Sequence, residues 1–398
     1  MIRPAEVTRF RWLVLAVFVL STAINYLDRQ TLATLAPLLR AEFHLSNAQY
    51  GLILTAFSIT YAASAPFAGM VTDRIGLSRA ISLAVGLWSC AGIATGFTRG
   101  LGGLVGCRAV LGLAEAGGIP AAGKAIHQFL KPSERALGNA VNQAGVSLGM
   151  ILAPPVATYV AVRSGWRASF VVTGVLGLVW IPVWNWTASR ARSATSAPIE
   201  SDAGAALLRD RRLWAFVVAN ALSMVGYSLW SNWTTLYLVE GQHLTLVEAA
   251  WYAWIPPVFA AAGGLAGGWI SFRFVGRGVA PLSARFRVCL LASALSLATV
   301  LVPLTPTAAW ASAAISLSVF AVSAFSVNMY TMPLDAFGGA RAAFAVSILV
   351  GSYGAVQAVI SPAFGRVIDL YGYAPLAILA AVTPFAACSV LWGTKSVR

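Results

Sequence analysis

The sequence predicts an all-α membrane protein of twelve transmembrane helices arranged as two six-helix bundles. Three observations carry this: the composition, the number of apolar segments and an internal repeat. The 398 residues are 59% hydrophobic and 10% charged, with mean hydropathy +0.77, whereas soluble domains carry about 25% charged residues. Such a chain cannot cover a water-facing surface and must sit in lipid. There each segment has to satisfy its own backbone N–H and C=O groups, which favours helices of about 20 residues. Pro, Gly and charge clusters cut the chain into twelve pieces of that size, near 11–37, 47–71, 80–98, 103–129, 136–162, 167–187, 213–239, 247–271, 285–304, 308–333, 342–368 and 374–393. The repeat is read from "GMVTDRIGLSR", which begins at Gly69, and "GWISFRFVGRG", which begins at Gly268, 199 residues later; Pro155 and Gly165 recur as Pro362 and Gly372, both 207 residues on. Two halves, 1–187 and 213–398, joined by a polar connector at 188–212, fit a parallel duplication whose bundles can rock against each other.

The net charge of +14 reports topology. The N-terminal tail, alternate loops, the connector and the C-terminal tail hold 19 of the 27 Lys and Arg residues, and the opposite loops hold only Arg40, Arg99, Arg163, Arg167 and Arg366. By the positive-inside bias both termini and the connector face the cytoplasm, and no nucleic-acid partner is implied. The first 23 residues combine basic and apolar stretches in the manner of a signal peptide, but the apolar run continues through "INYLDR" to Pro37 and is needed for an even helix count. Cys90, Cys107, Cys289 and Cys388 fall inside predicted helices without paired spacing and read as small packing residues; His44, His127 and His243 are far apart, and no metal site or cofactor is indicated.

Within the apolar spans only a few charges lie deep: Asp28, Arg29, Arg108 and Glu115, with Lys124 nearer an end. A charge at mid-bilayer costs about 2.5–3.5 kcal/mol or more, so each is a functional candidate. Arg108 and Glu115, seven residues apart, share one helix face about 10 Å apart, while the neighbours Asp28 and Arg29 point about 100° apart and so meet different partners. The same four residues also fit ion pairs that only hold the first and fourth helices together, although buried pairs are weak evidence of stability. On the functional reading, Asp28 and Glu115 load and release protons, while Arg29 offers its planar fork to a substrate carboxylate. Asn139, Asn142, Gln143 and Ser147 on the fifth span, and Ser58 and Tyr61 on the second, form further polar faces, either of a cavity wall or of interhelical hydrogen bonds. In the second half Tyr227, Trp230, Asn232, Trp233, Asn328, Ser347, Ser352, Tyr353 and Gln357 are candidates for the same two uses. Gly112, Gly117, Gly118, Gly145 and Gly149 read as close helix contacts, and Pro154, Pro155 and Pro362 as kinks.

"GMVTDRIGLSR" resembles the signature loop of the major facilitator superfamily, with Gly69, Asp73, Arg74, Gly76 and Arg79 at the characteristic places. "NYLDR", "CRAVLGLAEAGGIPAAGKAI" and "KPSERALGNAVNQAG" are similar to the anion:cation symporter family, which includes bacterial hexuronate, glucarate and galactonate transporters, sialin and the vesicular glutamate transporters. The resemblance implies Arg29 as anion ligand, Asp28 and Glu115 as proton carriers, Arg108 as the partner that tunes Glu115, Tyr61 and Gln143 at substrate-contacting positions, and the 69–79 loop as a gate. Departures are Phe272 at the position matching Asp73, "GA" at Gly354 and Ala355 where a glycine-asparagine pair is expected, and no arginine on the seventh span. The expectation is a monomeric, proton-coupled symporter that imports a small organic monocarboxylate, of sugar-acid type or else less hydroxylated or aromatic, across a bacterial inner membrane. A proton-driven exporter and a membrane sensor are the rival readings, and the intramembrane enzyme lacks any nucleophile, base or metal constellation.

Overall fold

The computed structural model of the chain describes residues 4–131, 134–190, 205–337 and 339–393. Helices account for nearly all of them: α1 Pro4–Phe43, α2 Asn47–Ile75, α3 Leu77–Thr95, α4 Leu101–Phe129, α5 Arg135–Ser164, α6 Trp166–Arg190, α7 Arg211–Gly241, α8 Leu246–Gly276, α9 Pro281–Leu304, α10 Ala308–Phe337, α11 Gly339–Tyr371 and α12 Ala374–Gly393. Among the described residues eleven helices are long and apolar enough to cross a membrane. The twelfth, α2, has 29 residues, about 43 Å at 1.5 Å per residue, which also exceeds the hydrocarbon thickness. Every expected span is present, but most helices overrun the predicted ends, α1 by six residues at its C-terminus. Hydropathy marks only the hydrocarbon slab, whereas helical hydrogen bonding continues into the headgroup layer.

The chain groups into two compact units, Met1–Leu45 with Leu52–Pro198 and Ser46–Gly51 with Ile199–Arg398. Of the connector expected at 188–212, residues 191–204 lie outside the described residues, and so do Arg3, Lys395 and Arg398. In the first unit the core gathers Val14, Phe18, Val85, Trp88, Leu111, Phe129, Trp180 and Trp184. Trp184 stacks on Trp180 at 5.5 Å and meets Phe18 edge-on at 5.6 Å. The Trp180 indole N–H donates to the Val17 carbonyl at 2.6 Å, which ties α6 to α1. Close approach does the rest. A Cβ at Gly149 would overlap the Ala23 carbonyl, one at Gly145 would strike Val19, and one at Gly112 would overlap the Phe57 carbonyl. Thus α1–α5 and α2–α4 pack backbone to backbone. The expected contact is absent at Gly118, where a Cβ meets nothing within 4 Å, and loose at Gly117.

In the second unit Phe216, Cys289, Phe325, Met329, Met332, Leu349 and Cys388 form the core. Gly263 and Gly267 bring α8 against Phe320 and Ala324 of α10. The first turn of α2 groups with this unit: the Asp369 carboxylate accepts from the backbone N–H groups of Asn47 and Ala48, at 3.0 Å each. Cys289 and Cys388 pack in the core as expected, whereas Cys90 is exposed. The assigned helices run on through Pro154, Pro155 and Pro362; the breaks fall instead after Glu115, Ser223 and Ala253.

The repeat is visible in the backbone. Gly165 and Gly372, 207 residues apart, end α5 and α11 with φ of 83° and 70°, and Gly76 and Gly278, 202 apart, share φ of 85°. Only glycine adopts such angles without a steric penalty, so the duplicated halves turn at the same kind of residue.

Candidate functional site

The four deep charges converge inside the first unit. On α1, Asp28 and Arg29 point to different neighbours. Asp28 is 2% exposed and faces α6 and α3. Its Oδ1 accepts from the Thr173 hydroxyl at 2.7 Å, and its carboxylate lies 3.2 Å from where a Cβ on Gly92 would be. Arg29 turns toward α4, where its Nε and Nη2 both donate to Oε2 of Glu115, at 3.0 and 2.6 Å. The Glu115 side chain is fully buried and that of Arg29 is 25% exposed. Arg108, 4% exposed, lies in the same cluster and its charge acts on both Asp28 and Glu115.

The crossing α1 sets Arg29 against Glu115, an ion pair not foreseen from the sequence, and the Arg108 charge acts on Glu115 as well. Two polar atoms stay without a hydrogen-bond donor: Asp28 Oδ2 and Glu115 Oε1. Each carboxyl group therefore presents one satisfied oxygen and one bare one.

Arg29 is also walled by aromatic rings that the sequence did not single out as a set. Its guanidinium carbon lies 4.9 Å from the ring centre of Tyr26, 4.6 Å from Phe57 and 5.3 Å from Tyr61. Tyr61, a candidate from the sequence, is one of these three rings and is so gathered into the cluster. Cation–π contacts of this kind hold the planar fork while leaving its edge free to bond.

Other candidates fall elsewhere. Asn142 accepts from the Thr22 hydroxyl at 2.9 Å, an α1–α5 bond of the packing kind. Gln143 is exposed, and its backbone carbonyl accepts from the Ser147 hydroxyl at 3.3 Å. Ser352 bonds its own helix at Leu349, and the Tyr353 ring meets Tyr227 at 6.2 Å, both in the second unit. Asn328 donates to Gly267 across α8–α10, and Trp230 and Trp233 are buried. In the 69–79 loop Arg74 and Arg79 are exposed, Gly69 has open space around it, and Gly76 makes the turn into α3. The side chain of Asp73 lies outside those described. Lys124 on α4 donates to the Thr72 carbonyl at 2.9 Å and so ties the end of α2 to α4. In the second loop Phe272 is exposed, and Arg285 bridges Ser271 at 2.8 Å and Asp335 at 3.2 Å.

Two charges of each sign, sealed among helices that cross a bilayer, define a polytopic membrane protein with an ionisable interior. The family model of the Major Facilitator Superfamily matches residues 18–349. The chain belongs to that superfamily, and it is a transporter, not an enzyme. It is similar to the hexuronate transporter of Escherichia coli K12, 27% identical with 97% of this chain and 94% of that protein covered. It is also similar to a probable sulfoacetate transporter of Cupriavidus necator, 28% identical with 91% and 88% covered. Among solved structures, a bacterial homologue of the human lysosomal transporter Spinster, inward-facing and unoccupied, superposes with a TM-score of 0.80 at 20% identity over 98% of each chain.

Proposed function

We propose that the protein is a proton-coupled symporter that imports a small organic monocarboxylate of sugar-acid type by alternating access, as a monomer in a bacterial inner membrane with both termini cytoplasmic. The observation that carries this reading is the Arg29–Glu115 pair. Glu115 occupies the very donors that a substrate carboxylate would need, both on one oxygen, and its other oxygen is bare. A proton arriving on Glu115 removes the charge that holds Arg29, and the freed fork can then take a substrate carboxylate in two parallel hydrogen bonds. Asp28 offers a second proton site at its bare Oδ2, with Arg108 beside it. Anion and proton thus enter the bundle together because each makes room for the other. The likeness to a hexuronate transporter supports a sugar acid.

A second reading of the substrate, an acid with few hydroxyl groups, is favoured by the three rings around Arg29 and by the likeness to a probable sulfoacetate transporter. Thermal shift of the purified protein against glucuronate, galactonate, sulfoacetate and benzoate at several pH values separates the two, since a ligand that binds the folded state raises its stability. Stabilisation by the sugar acids that strengthens as pH falls is the expected result. No response to any carboxylate would sink the proposal in favour of the exporter or sensor readings.

A further inference from the structure

A cavity lined by two arginines lies in the first unit, away from the four buried charges. At the far end of α3 from the 69–79 loop, the turn after Thr95 and the first turns of α6 enclose a cavity of about 290 Å³ lined by Phe97, Thr98, Arg99, Arg167 and Val171. Its shape depends on Gly96, where a Cβ would come within 2.8 Å of the Arg167 carbonyl and close the cleft. Arg167 is fixed across it, paired with Glu42 at 2.7 Å and reaching the Thr98 carbonyl at 3.5 Å. Glu42 is further held by the Trp166 indole N–H. Arg99 is exposed, and no ion pair to it occurs among the described residues. With Glu42 counted, the cavity carries one net positive charge.

Its depth and its floor distinguish the ligand. α3 has 19 residues, about 28 Å, which matches the hydrocarbon thickness and sets this turn at the level of lipid phosphates. Below the cavity an apolar stripe runs down α6 at every fourth residue: Val171, then Val175, Val179 and Val183, the last three 43–58% exposed. From Val171 to Val183 the twelve helical steps span about 18 Å, on the scale of an acyl chain. Phe97, 71% exposed, flanks the entrance. We propose that this cavity binds the phosphodiester headgroup of an anionic phospholipid between Arg99 and Arg167, with an acyl chain laid along the valine stripe of α6. It lies on the side where the chain otherwise carries few basic residues, so Arg99 and Arg167 are there against the topological bias.

The test is native mass spectrometry of the full chain in detergent, with phosphatidylglycerol, phosphatidylethanolamine and inorganic phosphate as separate probes. Phosphatidylglycerol should bind in preference to phosphatidylethanolamine, and Arg99→Gln should weaken it about fivefold, the effect of one basic residue near a membrane surface. Arg99→Lys should retain most of the binding. Because Arg99 is exposed, these variants should melt with the wild type. Equal phosphatidylglycerol occupancy in wild type and Arg99→Gln, or equal occupancy by the two lipids, overturns the proposal. Displacement of the lipid by inorganic phosphate at matching concentration also overturns it and assigns the site to a soluble anion.

Discussion

Arg29 is held by two bonds to one oxygen and by three aromatic rings, and a lysine cannot reproduce that geometry because its single ammonium has no planar fork. Arg29→Lys should therefore insert and fold but lose carboxylate uptake by at least tenfold, measured with radiolabelled substrate in cells; wild-type uptake would remove Arg29 from the substrate site. Glu115→Gln mimics the protonated acid permanently. In proteoliposomes it should still exchange substrate for substrate yet fail to accumulate it under a proton gradient, and survival of both activities would leave Glu115 a structural partner only. Asp28, Arg29, Arg108 and Glu115 were legible in the sequence because a charge in an apolar run has no neutral explanation of equal weight. Their pairing was not, since it depends on how α1 is rotated against α4. Gly92, Thr173, Tyr26 and Phe57 went unnoticed for a related reason: neutral residues in apolar helices look the same whether they shape a site or fill a core.

Helices α1 and α5 meet where Gly149 faces the Ala23 carbonyl, and no side chain, however small, fits there without moving backbone. Gly149→Ala should therefore cost about 1–3 kcal/mol, read as a lower midpoint of thermal unfolding in detergent, whereas Gly118→Ala should change it by less than about 0.5 kcal/mol. The two substitutions are chemically identical, so a matching loss would show that the α1–α5 approach is not the cause. Both glycines looked equivalent in sequence. Small-residue spacing marks a face on which helices can come close but does not say which member touches. The number and order of the helices were readable, because each needs about 20 apolar residues. Their ends and the breaks in α4, α7 and α8 were not, since they depend on interfacial hydrogen bonding and on packing against neighbours.

For the whole molecule, the duplication was readable because the loop motif at Gly69 recurs at Gly268 and because glycine is demanded at the turn after α5 and after α11, Gly165 with Gly372. The 19-to-5 partition of basic residues sets a topological expectation. A reporter enzyme fused after Arg398 should be active only on the cytoplasmic side, and activity on the other side would reverse the assignment. The buried cluster has an electrical meaning as well. On the proposed cycle, an empty carrier with both acids ionised would hold two negative charges on Asp28 and Glu115 against two positive on Arg29 and Arg108, all four in the first unit. Their sum is zero, so the empty, unprotonated carrier can return through the membrane field without displacing net charge. If one anion travels with two protons, the loaded carrier is positive by one, and the membrane potential then acts on that limb alone, at about 2.3 kcal/mol per 100 mV. A voltage step applied without substrate, above the pH at which the acids load, should therefore evoke no charge movement from the wild-type protein. Glu115→Gln leaves the empty interior with one uncompensated positive charge, and the silent return step should become a measurable transient current.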